Sequence, residues 1–109
     1  MVSQTLRDRV NEDLRIWVLY YRVHATRRMF QRNFEEADLF SCLKNGKIIE
    51  EYDTDLPFPS ALINGTSVSG RAMHVVIGID SGSRRLYIIT VYEPDTSKWR
   101  DNYSRRIKI

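Results

Sequence analysis

The sequence predicts an α+β domain in which two or three N-terminal helices pack on an antiparallel sheet of about four strands, closed by a short C-terminal helix. Two observations carry this prediction. Apolar residues recur at helical spacing in the first part of the chain. Further on, two runs rich in Val, Ile and Tyr flank the polar turn 80–83, which is typical of a β-hairpin. At 109 residues, the chain is expected to form a single domain, residues 1–109.

The composition is that of a globular protein with a basic bias. Hydrophobic residues make up 42% and charged residues 28%, so global disorder is not expected. The net charge of +3 comes mainly from arginine, which suits bidentate contact with phosphate, although an arginine-rich composition without a nucleic-acid ligand is an equal alternative. No signal peptide or membrane span is recognised, and the expected location is the cytoplasm. The single cysteine, Cys42, is expected to pack as a small apolar side chain.

The first helix is predicted over about Ser3 to Leu14, because Leu6, Val10 and Leu14 are spaced four apart. Ser3 is a plausible N-cap. The apolar run 16–21 that follows has no clear period, and a strand, the end of the first helix and a bridge to the next helix all remain open.

A second helix is predicted over residues 24–32, with Ala25, Met29 and Phe30 on its apolar side. A third begins near Glu35, where acidic residues complement the helix dipole, with Asn33 as a candidate cap. It ends at Gly46, which is expected to adopt the left-handed conformation.

The strands are predicted from alternating apolar residues and turn signals. Residues 47–52 form the first strand and residues 60–63 a weaker second one, separated by the two prolines of 57–59. The Asn64-Gly65 turn leads to the core hairpin, 71–92, whose two strands are expected to be central. Its register is left open by the sequence and decides whether His74 shares a face with Tyr92 or opposes Val91.

The tail after Pro94 is predicted to form one or two helical turns that carry Trp99 and Tyr103 onto the body of the domain. Arg105, Arg106 and Lys108 then form a basic end, for which a solvated tail is favoured over a phosphate clamp.

Signatures of several enzyme classes are missing. The chain has no phosphate-binding glycine loop, nucleophile elbow or metal-ligand spacing, so no cofactor or metal site is predicted. The residues that could carry chemistry are instead the cationic and tautomeric groups of His24, Arg28, Arg32, Arg71 and His74, with Tyr92 and Tyr52 as candidate proton donors.

Metal-free cleavage of RNA needs a general base, a general acid and cations that stabilise the phosphorane. His24, Arg28 and Arg32 share one helix face at a spacing of four residues. The alternative is a purely structural role for these residues. In it, His24 orients a helix, His74 forms a hydrogen bond to a strand neighbour, and Arg28 and Arg32 pair with the acidic run 50–55.

The sequence resembles the bacterial family of domains of unknown function numbered 4258. The resemblance is carried by five blocks in the family's order, 24–32, 43–52, 57–60, 70–76 and 89–95, followed by Trp99. The chain departs from the family at Asn33-Phe34, where members more often have a glycine and an apolar residue.

This family is more distantly similar to the RelE, ParE and BrnT toxins, and the resemblance implies a RelE-like fold and a toxin-type endoribonuclease that needs no metal. The family's pattern places its polar residues at His24, Arg28, Arg32, His74 and Tyr92. We therefore expect His24, His74 and Tyr92 to be catalytic, with Arg28, Arg32 and also Arg71 contacting the substrate. The implied partners are RNA and a small antitoxin or other protein, and a homodimer is also open. The alternative is a non-catalytic module that binds protein or nucleic acid and has structural histidines.

Overall fold

The described part of the chain, residues 4–107 of a computed structural model, combines three α-helices with two sheets. The helices are α1 (Leu6–Val10), α2 (Val23–Gln31) and α3 (Glu36–Asn45), and a 3₁₀ helix covers Leu14–Ile16. The strands are β1 (Val18–Tyr21), β2 (Lys47–Tyr52), β3 (Ser60–Thr66), β4 (Ala72–Asp80), β5 (Arg85–Tyr92), β6 (Trp99–Arg100) and β7 (Arg105–Arg106). The predicted α+β class is confirmed.

The main sheet has five strands in the order β1-β5-β4-β3-β2. Strands β2 to β5 form the antiparallel meander that the sequence predicts, and β4 and β5 lie inside the sheet as expected. Strand β1 joins the far edge and runs parallel to β5, so the sheet is mixed rather than antiparallel and has five strands where about four were expected. Residues 18–21 of the ambiguous run 16–21 become a strand because β5 offers them a free edge, which local sequence does not reveal.

The N-terminal helix is shorter than predicted. Thr5 caps α1 by accepting a hydrogen bond from the Asp8 amide at 3.1 Å, whereas the predicted cap, Ser3, lies outside the described residues. Asn11 ends the helix in the left-handed conformation at φ 56°, and Leu14 belongs to the following 3₁₀ helix.

Helices α2 and α3 confirm the predictions to within a residue at each end. Ala25 and Met29 are buried beneath α2, but Phe30 is 85% exposed and does not belong to its apolar side. Asn33 does not cap α3, since Glu35 occupies that position. Asn33 instead has φ 56°, a left-handed conformation that glycine favours.

Two glycines are required by space rather than by conformation. Gly46 ends α3 with φ −76°, so the predicted left-handed conformation is wrong; a Cβ atom there would lie 2.5 Å from the Cys42 carbonyl oxygen. Gly65 does not form the predicted turn, because β3 continues through Thr66 and the chain reverses at 68–69. A Cβ atom on Gly65 would lie 2.8 Å from the Cys42 sulfur, so this glycine lets β3 approach α3.

The three helices lie on one face of the main sheet. Helix α2 packs on β5, α3 packs on β3 and β4, and α1 contacts α3. The buried residues of β4 that point toward the helices are Met73, Val75, Ile77 and Ile79. His74 alternates with them and therefore points to the opposite face.

The opposite face is partly covered by the tail. Instead of the predicted C-terminal helix, β6 and β7 form a short hairpin whose Trp99 ring contacts the His74 ring. Arg105 and Arg106 are part of this hairpin rather than a solvated tail, and Lys108 lies outside the described residues. The hairpin forms because tertiary contacts to His74 and Glu50 are available, and these contacts have no local signal in the sequence.

Candidate functional site

The exposed side of α2 is strongly basic. Residues 22–34 include four arginines and one histidine and contain no acidic residue. His24 and Arg28 both lie exposed on the helix, one turn apart, and Arg32 follows as its C-cap. The structure therefore brings these three predicted residues to one continuous surface of α2.

The remaining arginines of the chain are largely neutralised by carboxylates. Six of the thirteen arginines form ion pairs: Arg9, Arg15, Arg71, Arg84, Arg105 and Arg106. Among residues 4–107, the side chains of Arg22, Arg27, Arg28 and Arg32 make no ion pair and no hydrogen bond. The alternative in which Arg28 and Arg32 pair with the acidic run 50–55 is wrong, since Glu50 pairs with Arg106 and Glu51 with Arg9.

Two apolar side chains interrupt this basic surface. Val23 is 72% exposed and Phe30 is 85% exposed. Both point away from the side of α2 that packs on the sheet. They are seven residues apart and therefore lie on the same side of α2, with Arg27 between them. We call the exposed set Arg22, Val23, His24, Arg27, Arg28, Phe30 and Arg32 the α2 surface.

Arg71, predicted to bind substrate, is instead committed to the protein. Its guanidinium donates hydrogen bonds to the carbonyl oxygens of Arg32 at 2.9 Å and Asn33 at 3.4 Å. It also lies 4.2 Å from the centre of the Phe34 ring and pairs with Glu93 at 3.4 Å. Arg71 thus holds the turn between α2 and α3, which positions the α2 surface without adding a free cation to it.

His74 is fully buried and uses both ring nitrogens. Its Nε2 atom lies 2.8 Å from the Tyr103 carbonyl oxygen and its Nδ1 atom 3.0 Å from the Tyr92 hydroxyl. Because a carbonyl only accepts, Nε2 carries the proton and Nδ1 of the neutral ring accepts from Tyr92. The register of β4 and β5 places His74 opposite Tyr92 rather than opposite Val91. This decides between the two registers that the sequence left open.

Burial favours the uncharged forms of both His74 and Tyr92. Burial lowers the pKa of His74 from 6.5 to about 4, against the opposing effects of the Tyr103 hydrogen bond and the Glu50 charge. Burial also raises the pKa of Tyr92. At neutral pH, His74 is an uncharged ring between two hydrogen bonds, with no face open to a substrate.

The predicted catalytic residues are therefore divided between the two faces of the main sheet. His24, with Arg28 and Arg32, lies on the helical side, whereas His74 and Tyr92 lie beneath the tail hairpin on the other side. None of the hydrogen bonds of His74 involves α2. The five residues do not converge into one site.

A cluster around Glu50 escaped the sequence-based prediction. The Arg106 guanidinium donates two hydrogen bonds to the Glu50 carboxylate, at 2.6 and 3.1 Å, and the Tyr52 hydroxyl donates a third. Arg106 also lies 4.7 Å from the centre of the Trp99 ring. The alternation of Glu50 and Tyr52 on one strand is a signal that they share a face, but nothing local identifies Arg106 as their partner.

The described residues contain neither a cluster of metal-ligating side chains nor a membrane-spanning helix. Within residues 4–107, no group of three or more His, Cys, Asp or Glu side chains is arranged to hold a metal ion. Across the same part of the chain, no helix is long and apolar enough to cross a membrane.

Comparison with known proteins identifies a family but no individual relative. No curated protein and no solved structure matches the chain. The family model described as domain of unknown function DUF4258 matches residues 21–93, from the end of β1 to the end of β5. The matched segment contains α2, Arg71, His74 and Tyr92 and ends before the tail hairpin. Because this match covers more than half of the chain, the protein belongs to the DUF4258 family.

Proposed function

We propose that the protein is a nucleic-acid-binding module that contacts single-stranded RNA through the α2 surface, with His74 in a structural role. The observation that carries this proposal is the set of four arginines in 22–32 that no described carboxylate neutralises. Arginine presents a planar group of donors that matches a phosphate bidentately.

Phe30 supports RNA over a purely ionic partner. Its ring is 85% exposed, and Arg27 and Arg28 precede it within one helical turn. Single strands are commonly held by cations along the backbone together with aromatic rings on which bases stack. A base stacked on Phe30 would place its flanking phosphates near these arginines.

The test measures RNA affinity against salt. A fluorescent single-stranded RNA oligonucleotide is titrated with wild type and with the Arg27→Gln, Arg28→Gln double variant. We expect the double variant to bind about tenfold more weakly or worse, because it no longer forms charge-assisted hydrogen bonds to two phosphates. The slope of log affinity against log salt should fall by about 1.4, since each phosphate that an arginine neutralises contributes about 0.7.

The matched control is Arg15→Gln, Arg84→Gln, which removes the same net charge from arginines that already have carboxylate partners. This control should retain wild-type affinity within about threefold, since its cations face carboxylates rather than RNA. Equal decreases in the two double variants would mean that net charge alone attracts the RNA, and the assignment to α2 would be wrong.

A toxin-type endoribonuclease is the second candidate, and its acid–base group would be His24. The supporting observation is that His24 is exposed one turn before Arg28, so a bound phosphate could lie beside an imidazole. A toxin of this kind would be restrained by an acidic partner covering α2. Cleavage of RNA with a chelator present, abolished by His24→Ala and retained by Arg15→Gln, would support it; identical background in both variants would exclude it.

A further inference from the structure

The tail hairpin is fixed to the sheet by four contacts. His74 donates to the Tyr103 carbonyl oxygen, and its ring meets Trp99 edge to face with centroids 4.4 Å apart. The Asn64 amide donates to the Asn102 carbonyl oxygen at 2.8 Å, and Arg106 pairs with Glu50 at 2.6 Å. A segment anchored in this way presents its outer side chains in fixed positions.

The turn of the hairpin has a backbone that is costly to form. Asp101, Asn102 and Tyr103 have φ values of 53°, 56° and 65°, three consecutive non-glycine residues in the left-handed region. In each such residue the Cβ atom approaches the following carbonyl oxygen, which makes this conformation unfavourable. The carbonyl oxygens of Asn102 and Tyr103 accept the anchoring hydrogen bonds, which offset the strain.

The hairpin register decides which side chains point outward. Trp99 and Arg106 are paired across the two strands and face the sheet. Arg100 and Arg105 are the other pair, and both are exposed on the outer side. Like charges directly opposite each other destabilise a strand pair, and the exposed pair of Arg105 with Asp101 offsets only part of this repulsion.

Both arginines line a groove of about 540 Å³, whose other lining residues are Ile49, Glu50, Ser104, Arg106 and Ile107. The charge of Glu50 is already neutralised by the Nε and Nη2 atoms of Arg106. Arg105 uses Nη1 to bond Asp101 at 3.0 Å, which leaves its Nε and Nη2 donors. Among the described residues, the Arg100 side chain has no hydrogen-bond partner.

We propose that this groove is an anion site that binds a phosphate group between Arg100 and Arg105. Two guanidinium groups on opposite strands would share one phosphate, which relieves their repulsion and satisfies their remaining donors. The groove has the volume of a small-ligand site, so it admits a phosphate ester as well as inorganic phosphate. Its two arginines lie beyond the segment that the family model matches, and neither belongs to the α2 surface.

The test is an NMR titration of the full chain with inorganic phosphate. Wild type should show saturable shifts of backbone amides in residues 99–106. The Arg100→Gln, Arg105→Gln variant should bind phosphate at least about tenfold more weakly. It should unfold near the wild-type temperature, since Trp99 and Arg106 keep their contacts and the removed repulsion offsets the lost pair of Arg105 with Asp101. Non-saturating shifts in wild type, or equal affinity in the variant, would overturn the proposal.

The control and the choice of ligand separate this site from the α2 surface. Arg27→Gln, Arg28→Gln should leave the phosphate shifts of 99–106 unchanged, and disappearance of these shifts would contradict an independent site. Titration with a mononucleotide and with single-stranded RNA then identifies the source of the phosphate. If RNA supplies it, the hairpin variant should bind RNA more weakly and with a smaller salt slope; if a mononucleotide supplies it, only mononucleotide binding should fall.

Discussion

The Nε2 atom of His74 lies 2.8 Å from the carbonyl oxygen of Tyr103 and ties the middle of the sheet to a strained turn 29 residues later in the chain. The histidine is 0% exposed, and Tyr92 occupies its other nitrogen. This relationship ties the buried histidine to the tail hairpin and leaves its ring without exposure to solvent.

Replacing His74 should destabilise the fold. His74→Ala leaves the Tyr92 hydroxyl and the Tyr103 carbonyl without their partner and opens a cavity beside Trp99. We expect the free energy of unfolding in urea to fall by about 2–4 kcal/mol. The matched control is His24→Ala, at the exposed histidine, which should change it by less than about 0.5 kcal/mol. Similar decreases in the two variants would contradict a structural role for His74.

Stability should decrease as the pH falls from 6.5 to 4. The folded protein holds the pKa of His74 at about 4, below the ordinary 6.5, chiefly through burial. The unfolded chain therefore binds the proton first, and stability rises with pH across this window and is fully present above it. The contribution of His74 is on the order of 3 kcal/mol.

This pH effect is isolated by comparison with His74→Gln. Urea unfolding is measured at several pH values between 4 and 7 for both proteins. The difference in slope belongs to His74, since the carboxylates, including Glu50, are common to both proteins. Parallel curves would show that His74 does not titrate differently on folding.

The Glu50–Arg106 pair should stabilise the tail hairpin more than the neighbouring Arg105–Asp101 pair does. Arg106→Ala removes the two bonds to Glu50 and the contact with the Trp99 ring. We expect the free energy of unfolding to fall by about 1–2 kcal/mol, with faster amide exchange in 99–106. Arg105→Ala is the control, because its exposed pair with Asp101 should contribute less than about 0.5 kcal/mol. Equal effects would mean that Arg106 does not anchor the hairpin.

Cys42 should be unreactive in the folded protein. Burial raises the pKa of its thiol to about 12, opposed by a hydrogen bond from the Gly65 backbone, and its side chain is 0% exposed. A thiol reagent at pH 8 should therefore modify native protein at the rate of unfolding and modify urea-unfolded protein at once. Rapid reaction of native protein would place Cys42 at the surface.

Much of the fold could be predicted from local patterns. The spacing of Ala25 and Met29 identified α2, and the apolar alternation around Met73 and Val75 identified the central hairpin. These patterns succeed because burial selects one side of each element at its own period. The edge strand β1 and the tail hairpin were missed, because each depends on a partner that is distant in sequence.

The sequence alone determined the basic character of α2, since four arginines and no acid occur between residues 22 and 34. Only the tertiary structure decided which cations remain unneutralised: it paired Arg71 with Glu93 and Arg106 with Glu50, and left Arg27 and Arg28 without a described partner. It also separated His74 from His24 by the thickness of the sheet. The reason is physical: charge and periodicity are local properties, whereas ion pairing, burial and the face that a strand presents depend on which distant segments pack together.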